Sequence, residues 1–115
     1  MNHRKTAVLR PLLLLVATLL PVWGQAAAVQ QNWDEHCASC HGATGDGKTK
    51  TGTKLHIKDY TSPKVQAEFS DTGLLKNILL GIDGENDAHR MPAFKDKLTP
   101  AEAKELVTLI RSFKK

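Results

Sequence analysis

Cysteine is almost absent from this chain: 115 residues hold two, Cys37 and Cys40, and nothing else with a thiol. A structural zinc site usually needs a second cysteine pair or an HxxxH partner, and the other histidines beyond the N-terminal leader, His36, His56 and His89, do not supply one. Runs of β-branched residues are also missing around the two cysteines, which removes the βαβ setting a thiol-disulfide oxidoreductase would need. The longest apolar stretch, Pro11 to Gly24, has 14 residues, short of the ~20 that a membrane-spanning helix requires. No internal repeat is present, and no low-complexity segment lies beyond the leader.

That apolar stretch sits in a leader. Arg4, Lys5 and Arg10 form a basic start, Leu12 to Leu20 an apolar core, and Ala26-Ala27-Ala28 offers small residues for a signal peptidase. Residues 1–28 are therefore expected to be a cleaved secretory signal peptide and residues 29–115 a single domain in the bacterial periplasm, with no stable membrane insertion after cleavage. Removing the leader removes three of the sixteen basic residues and none of the twelve acidic ones, so net charge falls from +4 to +1. The basic character of the precursor is a targeting feature, and bulk electrostatic binding of nucleic acid is not expected. The remaining chain is small enough that its core is thin for its surface.

What the chain does contain is Cys37-Ala38-Ser39-Cys40-His41. On a helical turn, positions i, i+3 and i+4 share a face, so two thiols can bond the vinyl groups of a haem while the next imidazole reaches its iron. Cys37 and Cys40 are thus the expected thioether attachment points and His41 an axial iron ligand of one covalent haem c. A buried haem would add the apolar mass that the short chain lacks. Export fits as well, because attachment outside the cytoplasm uses both cysteines and leaves none for a structural disulfide.

The pattern predicts an all-α, loop-rich fold of three to four helices. The first is expected from about Gln31 through His41, with Asn32 and Glu35 at capping-box spacing and Trp33, Cys37, Cys40 and His41 on one side. A short turn led by Pro63 should precede a second helix near Ser70 to Leu80, whose apolar stripe is Leu74, Leu75, Ile78 and Leu79 and whose stop is Gly81. The third begins with the capping box Thr99-Pro100-Ala101-Glu102, followed by Leu106, Leu109, Ile110 and Phe113 at helical spacing. Gly42, Gly45, Gly47 and Gly52 with Asp46 read as turns, and they lack the strand and GKS/T ending of a phosphate loop.

Met91 is the only methionine after the leader. By itself such a residue is an ordinary core filler, but Pro92 stiffens the chain beside it and a loop starting at Gly81 lets it approach the iron. His89 and His56 are the competing sixth ligands, and an open site is the remaining alternative. The early CxxCH, the late Met91-Pro92-Ala93-Phe94 and the C-terminal helix Leu106 to Phe113 together resemble a class I cytochrome c of the small bacterial monohaem kind. The resemblance covers essentially the whole chain after the leader. It implies a first helix that starts earlier than Gln31, a haem crevice between the first and last helices, His41 and Met91 as axial ligands, and Trp33 packed against the last helix near Leu106. Val29 stands where many members have a small residue, Leu109 where many have an aromatic, and Thr53 near the place of a proline whose carbonyl accepts from the ligand imidazole.

The function implied is one-electron shuttling as a periplasmic carrier, without enzyme activity, by a monomer that docks transiently with redox protein partners. Two alternatives remain: a peroxidase-like or gas-binding haem protein with a labile sixth ligand, and an electron-transfer subunit of a larger oxidoreductase. Lys48, Lys50, Lys54 and Lys58 concentrate positive charge after the haem motif, and Asp83, Glu85 and Asp87 negative charge before Met91; both groups are equally well read as solvated loops. The acidic run is not an EF-hand, because Ala88 and Phe94 occupy the positions that need glycine and glutamate.

Overall fold

The computed structural model describes residues 23–85 and 90–115. Six helical segments follow one another: α1 (Trp23–His36), α2 (Ala38–His41), α3 (Lys50–Leu55), α4 (Pro63–Glu68), α5 (Asp71–Leu80) and α6 (Pro100–Ser112). Only α1, α5 and α6 reach ten residues or more. The described residues contain no strand, only an isolated antiparallel bridge between Ile82 and Met91. The fold is all-α, as expected, with more and shorter helical pieces than the pattern suggested.

The first helix differs most from expectation. It starts at Trp23, so Asn32 lies in mid-helix rather than at a cap, and Gln31 Nε2 donates to Glu35 Oε1 across one turn (3.0 Å). It also breaks at Cys37, whose φ of −120° is not helical, before α2 resumes. Cys37 still joins the two pieces: its amide donates to Trp33 O (2.9 Å) and its carbonyl accepts from His41 N (2.9 Å). Periodicity reports which residues share a face and is blind to a one-residue interruption that preserves it.

The glycine-rich region also holds a helix where turns were expected. Thr49 caps α3, its hydroxyl oxygen accepting from Gly52 N (2.8 Å) while the hydroxyl donates to Cys40 O (2.7 Å). Gly52 lies inside α3 because nothing larger fits: a Cβ there would run into Gly47 O and stand 2.7 Å from Cys40 O. Tertiary crowding thus overrides the poor helix propensity of glycine.

The other helices begin where their caps predict. Ser62 and Ser70 accept from the amides of Val65 and Gly73 at the starts of α4 and α5. At α6, Thr99 Oγ1 accepts from Glu102 N (3.2 Å) and Glu102 Oε2 accepts from Thr99 N (2.7 Å), the reciprocal capping box. The α6 stripe is rotated from the expected one. Ala103, Leu106, Val107 and Ile110 are buried, whereas Leu109 and Phe113 are half-buried at its edge.

The core gathers Trp33 from α1, Leu74 and Ile78 from α5, Phe94 and Leu98 from the connection, and the α6 stripe. Trp33 and Leu106 are both fully enclosed, at 1% and 0% exposure. Phe113 meets the Trp33 ring at 4.9 Å between centroids, so the aromatic contact comes one turn later than position 109. Val29 and Leu109 instead line a shallow groove between α1 and α6. Arg111 ties α6 to the start of α5, donating to Gln66 O, Gln66 Oε1, Phe69 O and Asp71 Oδ1 at 2.6–2.8 Å. Gln66, buried at 6% exposure, in turn donates to Tyr60 O and Ile110 O.

Candidate functional site

The cysteine-histidine segment lies on α2 and the break before it, with both thiols unpaired. Burial, with a smaller contribution from Cys40, pushes the Cys37 thiol up to about 12. It is therefore a neutral thiol and not the low-pKa thiolate that a disulfide exchanger uses. Burial also lowers the pKa of His41 below its ordinary value of 6.5, so the imidazole is neutral and keeps a lone pair for a metal.

Two aromatic rings hold the His41 ring. Trp33 sits 5.9 Å from it between centroids, and Tyr60 stacks on it at 5.4 Å with planes 12° apart. Trp33 Nε1 also donates to Gly42 O (3.1 Å), which fixes the turn just after the histidine. His41 Nδ1 is the one buried side-chain polar atom without a hydrogen-bond partner among the described residues. The residue near the family's proline, Thr53, directs its hydroxyl to Thr49 O instead.

Cys37, Cys40, His41 and Met91 all line one cleft, of about 260 Å³. Its walls are mainly apolar, from Leu74 and Ile78 of α5, Leu106 and Ile110 of α6, and Phe69 and Phe94. Met91 reaches it from the connection between α5 and α6, where its amide and carbonyl pair with Ile82 (2.9 and 2.8 Å). His56 also lines the cleft, at the left-handed residue that ends α3 (φ 54°). His89 lies outside the described residues, as does Asp87 of the acidic run.

These residues fit a haem. The apolar cleft would take its ring, the unpaired thiols of Cys37 and Cys40 both line it where vinyl groups would attach, and His41, with its buried Nδ1 unpartnered, would supply a nitrogen donor. A family model described as cytochrome c oxidase, cbb3-type, subunit III matches residues 24–110. The chain belongs to this family of class I cytochromes c. The cytochrome is also similar to the solved KustC0563 c-type cytochrome, at 35% identity and a TM-score of 0.64, over 75% of this chain and 96% of that one. A tyrosine-to-phenylalanine mutant of Kustc0563 matches at 34% identity and a TM-score of 0.62, over 75% and 98%. No curated protein matches the chain. Family and neighbours together establish a covalently bound haem c with its iron, and with it electron transfer as the general activity.

Sequence reasoning overlooked two parts of the cytochrome's site. Tyr60, the chain's one tyrosine, stacks on His41 from a loop nineteen residues away, and no local pattern signals that approach. The backbone pairing of Ile82 with Met91 was equally hidden, because a single bridge leaves no alternating strand pattern to read.

Proposed function

We propose that this cytochrome is a periplasmic one-electron carrier in which Cys37 and Cys40 hold the haem and His41 and Met91 are the axial iron ligands. The observation that carries the reading is the convergence of the CxxCH segment and the only post-leader methionine on a single apolar cleft. The haem, when bound, supplies reversible exchange of one electron between ferric and ferrous iron. Trp33 and Tyr60 orient the imidazole, the thioether favours the ferrous state, and the apolar walls disfavour the additional charge of the ferric state. With His41 and Met91 both held to the iron, no position would remain for a substrate, which supports a carrier over an enzyme.

Export depends on the leader, for which the basic start, apolar core and Ala26-Ala27-Ala28 are the support. Cleavage after Ala28 would shorten α1 by its first six residues and retain Val29 and Trp33, its packing residues. Transient docking falls to the basic face of α3, where Lys50 and Lys54 are exposed; Lys58 is partly neutralised by Glu68 at 3.2 Å. The family description favours a second reading of the partner, in which the domain delivers electrons within a larger oxidase assembly. Purification of the exported protein from its own membranes distinguishes them, since a subunit copurifies with other chains and a free carrier does not.

The test of ligation is the ferric optical spectrum. A long-wavelength sulfur-to-iron charge-transfer band and low-spin ferrous bands are expected. Low-spin bands without that feature would move the sixth ligand to a histidine, and a high-spin spectrum with rapid carbon monoxide binding would instead make the protein a haem enzyme or sensor.

A further inference from the structure

The methionine is not suspended from a free loop. The last carbonyls of α5, orphaned by helix geometry, are taken by three amides: Gly81 N on Asn77 O (2.9 Å), Phe94 N on Ile78 O (3.0 Å) and Lys95 N on Leu79 O (3.1 Å). Between the first of these and the other two, Ile82 and Met91 exchange a reciprocal pair of backbone bonds at 2.8 and 2.9 Å. Residues 91–95 are thereby held against the end of α5, at Met91 through Ile82 and three to four residues later at Phe94 and Lys95.

Gly81 sits at the centre of this clamp. Its φ of 73° and ψ of −176° lie in a region that is essentially restricted to glycine. A Cβ at this position would stand 2.5 Å from Met91 O, 2.8 Å from Ala93 N and 2.9 Å from Pro92 C. All three are main-chain atoms, which cannot rotate aside as a flexible side chain could. Any larger residue must therefore lift the segment that carries Met91, or open the bridge that holds it.

We infer that Gly81 is a positioning residue for the sixth iron ligand, its absent side chain setting how closely Met91-Pro92-Ala93 lies on α5 and so where the thioether enters the cleft. This rests on Met91 being that ligand. A thioether on a flexible three-bond side chain gains a defined position only if its backbone is fixed, and this backbone contact fixes it. A helix-terminating glycine with no further role would contribute to stability alone.

The experiment compares haem-loaded wild type with Gly81→Ala and Ile82→Pro by titrating the ferric proteins with imidazole. An exogenous ligand must displace the methionine, so its apparent affinity reports the fraction of iron from which Met91 has detached. Strain of this kind changes such an equilibrium about tenfold, so Gly81→Ala should bind imidazole about tenfold more tightly and show a weakened charge-transfer band. Ile82→Pro removes the amide bonded to Met91 O without filling the space at Gly81, and the extended ψ of Gly81 suits a residue before proline. It should shift affinity in the same direction, and it decides the matter if Gly81→Ala does not take up haem. Wild-type imidazole affinity in the folded variants, even with a lowered thermal midpoint, would reduce Gly81 to a helix cap and overturn the inference alone. A wild-type spectrum without the charge-transfer band would overturn the methionine reading, and Gly81's role with it.

Discussion

At the scale of single residues, the site depends on a few side chains whose chemistry is set by their surroundings. Burial lowers the pKa of His41 and raises that of Cys37, so neither is poised for acid-base or exchange chemistry near neutral pH. The sixth ligand is where substitution is most informative. Met91→Ala should lower the reduction potential, abolish the sulfur charge-transfer band and admit carbon monoxide to the ferrous iron. His56→Ala, although His56 lines the same cleft, should leave the spectrum unchanged; spectra of the two purified variants side by side check both outcomes. The haem motif was legible from spacing alone, because the CxxCH pattern occupies five consecutive positions. Tyr60 was not, since its stacking on His41 is created by the path of the chain from α3 to α4.

At the scale of elements, caps were the most readable feature and helix faces the least. Thr99, Ser62 and Ser70 begin their helices where hydroxyl acceptors predict. The α6 capping box also carries a pH dependence. Hydrogen bonds from the Thr99 backbone and side chain lower the pKa of Glu102 from its ordinary 4.5, so its ionised form is favoured in the folded state. That contribution is complete above the unfolded-state pKa and is lost as pH falls below 4.5 through the lowered folded value. Thermal melts of wild type and Glu102→Ala should therefore differ at neutral pH and converge on acidification below that range. The faces were harder to read. Leu109 and Phe113 continue the α6 periodicity yet sit at the core's edge, while Ala103 is at its centre with 0% exposure. Hydrophobicity alone ranks alanine low, and only the packed structure shows that this one is fully enclosed.

At the scale of the whole molecule, function follows from one cleft opening beside a surface of modest charge. The exposed Lys50 and Lys54 on α3 follow the haem motif in the chain, and they are the proposed contact for an acidic redox partner. Second-order rate constants for electron exchange with such a partner should fall as ionic strength rises, because exposed charges are screened over about 10 Å at 0.1 M salt. Stopped-flow rates that are insensitive to salt would assign these lysines to solvation alone. The sequence by itself determined the haem chemistry, the all-α class and most helix starts, because motif spacing, caps and periodicity are local properties of the chain. Only the tertiary structure decided the break at Cys37, the helix through Gly52, the stacking of Tyr60 and the clamping of Met91 onto α5. The last three are set by the close approach of separate segments or by crowding around a backbone atom, and such distances exist only once the chain has folded.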